Sequence, residues 1–188
     1  MYHRIRHLSG VMSTLAAAFL LWGGAGGVST AAAQPCANAD SQAGQASNRA
    51  LGRSTLCLVN KERHKRGVHR LRYNGRLSRA GRGHALDMVR HSYFAHNSRS
   101  GARFTRRIFR TGYIRRGRWG VGENLAWGAR RESTPRQIVR AWMESKPHRR
   151  NLLDRRFRDL GVGVARGAPV RRRYSNAATY AHEFGRLG

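Results

Sequence analysis

Apolar positions recur along this chain at two spacings, and the change from one to the other divides it. In "STLCLVNKERHKRG" (54–67), Leu56, Val59 and Asn60 share one side, and Gly67 stands where a helix commonly stops. The spacing predicts a first helix there. The stripe Leu77, Ala80, Gly81, His84, Ala85 and Met88 predicts a second, fraying near His91 and leaving "YFAHNSRSG" (93–101) as a loop. "ARFTRRIFRTGY" (102–113) reads as a short helix with Phe104, Ile108 and Phe109 turned inward. In the fourth, Thr134 is the cap, Pro135 takes the first position and Gln137 completes a capping box. Ile138, Val139, Trp142 and Met143 form its apolar face, and Pro147 limits its extension.

From residue 160 the period falls to two. "LGVGVA" (160–165) and "ATYAHEFG" (178–185) alternate as strands do, and the Gly/Pro/Arg segment 166–176 joins them as a hairpin loop. "GVGENLAWG" (120–128) reads as a loop that presents Glu123, with Leu125 and Trp127 packed beneath it. Helices first and strands later, without βαβ alternation, predict an α+β fold with an antiparallel sheet.

The first 33 residues carry a different signal. Arg4 and Arg6 precede an apolar run over 11–22, and Ala31 and Ala33 suit cleavage before Gln34, so 1–33 reads as a signal peptide and the mature protein as secreted. The run is short for a membrane span, which needs roughly 20 apolar residues, and no later stretch has that length; an uncleaved N-terminal anchor is the alternative. Residues 34–50 lack apolar periodicity and read as an N-terminal extension to a domain over 51–188. Two cysteines in an oxidising compartment favour a Cys36–Cys57 disulfide, with two free buried thiols as the alternative.

Charge narrows the partners. The net charge is +28, and the only lysines are Lys61, Lys65 and Lys146. Arginine forks suit phosphate and carboxylate groups, so anionic lipid or an envelope polymer is a plausible contact. A G+C-rich genome writing arginine wherever a cation is tolerated explains the count as well. Export and the absence of a reading motif argue against nucleic acid.

The polar residues without an obvious structural duty are His96, Glu123, Asn124 and His148. Two imidazoles and a carboxylate converging from separate loops form either a metal site or a carboxylate-oriented histidine. They are otherwise three unrelated residues. Ser92 and Ser145 lie near histidines but in no nucleophile elbow. The remaining acids, Glu183 among them, read mostly as surface partners for arginine.

Assembled in order, "LCLVNKERHKRGVHRLRYNGRLSRAGRGHALDM", "YFAHNSRSG", "GENLAWG", "IVRAWMESKPHRRNLLDRRFRDLGVGVA" and "YAHEFG" resemble the CAP superfamily of cysteine-rich secretory, antigen 5 and pathogenesis-related-1 proteins. The resemblance covers about residues 54–185. It implies an α-β-α sandwich, an antiparallel sheet between helical layers, with a cleft lined by two histidines and two acids that in some members holds zinc or another divalent cation. On this chain the resemblance puts His96, Glu123 and His148 in those places. The second acid is replaced by Ser145, while Glu144 stands one position away, a turn of about 100° on a helix. His182 or water would complete such a site. The resemblance implies an extracellular binding module rather than one reaction. A hydrolase acting on protein or cell-wall material, and a polycation held on anionic envelope polymers or lipids, are the alternatives.

Overall fold

A computed structural model describes residues 35–188, so the signal peptide expected over 1–33 lies outside the described residues. Side-chain caps set most helix starts. Ser47 accepts from the Ala50 amide and opens α1 (Asn48–His64), several residues earlier than periodicity predicts. Asn74 caps α2 (Gly75–His91) through the amides of Arg76 and Leu77, and left-handed Ser92 ends it. A short α3 (Phe104–Arg110) follows. Thr134 caps α4 (Pro135–Glu144), accepting from the Gln137 amide, but the expected capping box is only half made, since the Thr134 amide donates to the Arg131 carbonyl rather than to Gln137. Pro147 does more than end α4: it lies in the first turn of a further helix, α5 (Lys146–Leu153). A proline is tolerated there because the amide it lacks would have no intrahelical partner. His148 therefore sits on a helix rather than in the expected loop.

The strands are β1 (Arg72–Tyr73), β2 (Trp119–Gly128), β3 (Asp159–Arg166) and β4 (Ala178–Leu187), in the order β1-β3-β4-β2. Pairing is antiparallel through β3, β4 and β2, and only the two-residue β1 runs parallel to β3. β2 corrects the expectation of a loop over 120–128. Val121, Glu123, Leu125 and Trp127 do alternate with smaller residues; the glycines and the lone acid disguise the period.

Helices cover both sheet faces, the sandwich that the resemblance implies. On one side Leu51 and Val59 of α1, Trp142 of α4 and Leu152 of α5 pack with Leu160, Tyr180 and Phe184. On the other, Ala85 and Met88 of α2 meet Leu125, Ala165 and Ala181, and Ile108 of α3 packs with Leu77. α2 lies close against this face because Gly161 and Gly163 have no side chains: a methyl at either would overlap α2 backbone. Phe109, expected inside, is 47% exposed; the buried face of this short helix belongs to Ile108. Among the described residues no helix is long and apolar enough to cross a membrane.

Two devices fasten α1. Cys36 and Cys57 are disulfide-bonded, and Cys36, Ala39 and Ala43 enter the larger core, so the segment read as an extension is packed structure. Arg63 is fully buried, and its guanidinium donates to the carbonyls of His69, Leu152, Asp154 and Phe157. Burial lowers its pKa to about 10, still leaving it charged. That clamp fixes the end of α5, and with it the helix that carries His148.

Candidate functional site

β2 is an edge strand, and the site is built on it. Glu123 points to the α2 and α3 side of the sheet, directly opposite Glu183 of β4 in the antiparallel register. Like charges so placed repel, and both side chains are buried, with 1% and 0% exposure. Arg107 of α3 resolves the conflict. Its Nη2 donates to Glu123 Oε2 and to the His96 carbonyl, and its Nε donates to Glu183 Oε1 at 3.1 Å. Burial and the facing Glu123 charge push the Glu183 carboxyl well above the ordinary carboxylate range. Glu183 Oε2 has no hydrogen-bond partner among the described residues. Burial also works to raise Glu123, but the hydrogen bonds of His96 and Arg107 and the charge of Arg107 outweigh it and hold that carboxyl below its usual value. The pKa values of the two acids are thus pushed apart under a single guanidinium, Glu183 upward and Glu123 downward.

Glu123 orients His96. Nδ1 of His96 donates to Glu123 Oε1 at 2.7 Å, and the histidine side chain is 55% exposed. A carboxylate on Nδ1 fixes the tautomer and turns Nε2 outward. Across the strand edge, His148 Nδ1 shares a 2.8 Å hydrogen bond with Ser145 Oγ, which again leaves Nε2 outward. Burial, and then the charge of His96, hold His148 below the usual histidine range, so it is neutral near pH 7. Asn124, facing the α5 side, donates to the His148 carbonyl, and Asn151 donates to Asn124 Oδ1 and to the Glu123 carbonyl. These amides tie the first turn of α5 to β2.

The structure thus brings together His96 and Glu123, with His148 and Ser145 at the same strand edge. Glu144 stays outside: its carboxylate pairs with Arg140 on the exposed face of α4. His182 is also apart. It is fully buried on the α1 and α4 side, with Nε2 on Thr55 Oγ1 and its ring 4.6 Å from that of Trp142. Burial lowers its pKa to about 3. The sequence reading missed Arg107 and the burial of Glu183. Arg107 is one guanidinium among many, and its partners lie 16 and 76 positions further along the chain.

The sequence profile of the cysteine-rich secretory protein family, CAP, matches residues 56–179, well over half of the chain. The chain belongs to this family. A curated relative, the uncharacterized protein YkwD of Bacillus subtilis, is 35% identical over 115 residues, covering 60% of this chain and 42% of that protein. The chain therefore spans less than half the length of that relative. An extracellular SCP-domain protein of Bacillus anthracis superposes with a TM-score of 0.56 at 24% identity, over 74% of this chain and 43% of that one. An outer surface protein of Borrelia burgdorferi superposes with a TM-score of 0.58 at 18% identity, over 71% and 90%. At these identities the structures speak for the fold alone.

For this CAP domain, the divalent cation implied by some family members does not fit the donor set as arranged. Both Glu123 oxygens already accept hydrogen bonds, and a metal on that carboxylate would face the Arg107 guanidinium. Among the described residues no three His, Cys, Asp or Glu side chains converge as metal ligands.

Proposed function

We propose that this CAP protein acts outside the cell as a binding module, and that a polar ligand at the cell surface seats on the β2 edge between the outward Nε2 atoms of His96 and His148. The observation that carries the reading is the His96–Glu123–Arg107–Glu183 chain. It spends two buried acids and a buried guanidinium on holding one half-exposed imidazole in a single orientation. A fixed hydrogen-bonding edge loses little freedom on binding. An extracellular setting is supported by the relative from Bacillus anthracis, which is itself an extracellular protein. A hydrolytic reading draws on the Ser145–His148 hydrogen bond. That bond uses Nδ1, and among the described residues no carboxylate orients His148.

The test is co-sedimentation with purified cell-wall sacculi from which anionic polymers have been stripped. Retention of the wild-type protein, lost in both His96→Ala and His148→Ala, is expected, with no soluble fragments released. Equal retention of all three proteins would refute the cleft as the binding site. Fragment release that disappears in Ser145→Ala would establish the hydrolytic reading instead.

A further inference from the structure

A wide groove among the described residues lies beside the histidine cleft rather than in it. It is an open groove of about 1180 Å³ between α2, α3 and the loop over 98–102. Arg79 stands on the α2 wall, Arg106 and Arg110 one turn apart on the α3 wall, and Arg99 on the loop. All four are exposed. Among the described residues none of the four has a carboxylate within 4 Å, although Glu62, Asp40, Glu144 and Asp154 each hold an arginine or lysine elsewhere on the surface. Among the described residues Asp87 is the single carboxylate lining the groove, and it is already engaged by the Tyr93 hydroxyl and by His91. Four unneutralised guanidinium groups therefore face one concavity.

We propose that this groove binds a linear, base-free phosphodiester chain, of the polyol-phosphate kind found in cell envelopes. Guanidinium forks match phosphate oxygens bidentately. The volume exceeds the roughly 300–1000 Å³ of small-molecule pockets, which fits several units of a chain better than one small anion. Phe, Tyr and Trp are absent from the lining among the described residues. Single-stranded nucleic acids are held largely by base stacking on aromatic rings, so the groove lacks what bases need and has what bare phosphates need. Gly83 keeps the α2 wall open, since a side chain there would project into empty space. Arg107 also lines the groove, and through Glu123 it joins the phosphate surface to the oriented His96.

Binding is measured by fluorescence anisotropy with labelled poly(glycerol phosphate) between 50 and 200 mM salt. Four neutralised phosphates give a slope of log affinity against log salt of roughly −3. Arg79→Gln/Arg106→Gln should halve that slope and weaken binding about tenfold or more at the upper salt. Gly83→Glu, which adds a carboxylate without a clash, should abolish binding, while Gly83→Ala keeps it. The triple change Arg171→Gln/Arg172→Gln/Arg173→Gln, in the loop between β3 and β4, removes more charge and should cost less than the groove pair. Thermal unfolding of each variant confirms that it folds. The proposal is overturned if the triple variant loses as much as the pair, or if Gly83→Glu binds as wild type. It is equally overturned if poly-glutamate or single-stranded DNA of equal charge binds as tightly with the same dependence on Arg79 and Arg106. The groove pair should keep its retention on stripped sacculi, so failure of the groove and failure of the histidine cleft are told apart.

Discussion

Replacing Arg107 with methionine isolates the electrostatic core of the site. The stem of the side chain is kept in volume, but Glu123 and Glu183 lose their shared cation while remaining buried. Three hydrogen bonds disappear, to Glu123 Oε2, Glu183 Oε1 and the His96 carbonyl. Stranding one partner of a buried ion pair costs about 3–5 kcal/mol, which for a domain of this size lowers Tm by roughly 8–15 °C. The pH dependence identifies the cause. In the wild type Glu123 is held below its ordinary value of 4.5, so its contribution is present above that pH and fades on acidification. Without Arg107 burial prevails and raises both carboxyls, so the penalty grows as pH climbs above about 4.5 and shrinks below it. Urea unfolding followed by tryptophan fluorescence at pH 4 and 7.5 should show a much smaller loss at pH 4. A loss equal at the two pH values, or one below about 1 kcal/mol at pH 7.5, would refute the buried-pair account.

Two further perturbations probe the supports. Opening the Cys36–Cys57 bridge, by Cys36→Ser/Cys57→Ser or by reductant, frees a loop with a sequence separation of 21 and should cost about 3 kcal/mol. Protease sensitivity should then appear over residues 35–47, and an unchanged melting profile would contradict that role. His182→Gln should flatten the loss of stability on acidification. The buried wild-type imidazole stays neutral down to about pH 3, whereas the unfolded one takes up a proton near 6.5, so stability falls by about 1.4 kcal/mol per pH unit below that point. Urea midpoints compared at pH 7 and 5 measure this, and parallel declines in variant and wild type would exclude His182 as a source.

What was legible in the sequence was local. The α2 stripe from Leu77 to Met88 and the α4 face from Ile138 to Trp142 are buried as their spacing predicts. His96 and Glu123 were singled out because no apolar face needed them, and they do meet. The misreadings came from pairings the chain makes at a distance. β2 passed for a loop because its central residue is an acid, which a buried strand tolerates only when a cation such as Arg107 reaches it from another element. α5 was hidden because Pro147 ends one helix and lies in the first turn of the next. Glu183 passed for a surface acid because nothing local distinguishes a carboxyl paired with another carboxyl from one paired with solvent.

The strand order has a consequence for how the molecule comes into being. Among the described residues β4 follows the other three strands in sequence, yet it lies between β3 and β2. No shorter N-terminal fragment can join β2 to the rest of the sheet, and none contains Glu183 opposite Glu123. During synthesis these long-range pairings must wait until β4 is free to insert, and the loop to be closed back to β2 spans roughly fifty residues, the interval from Gly128 to Ala178. Until β4 has been made, β2 and β3 have no common strand to pair with. Disruption of β4 would therefore remove the middle of the sheet rather than trim its edge.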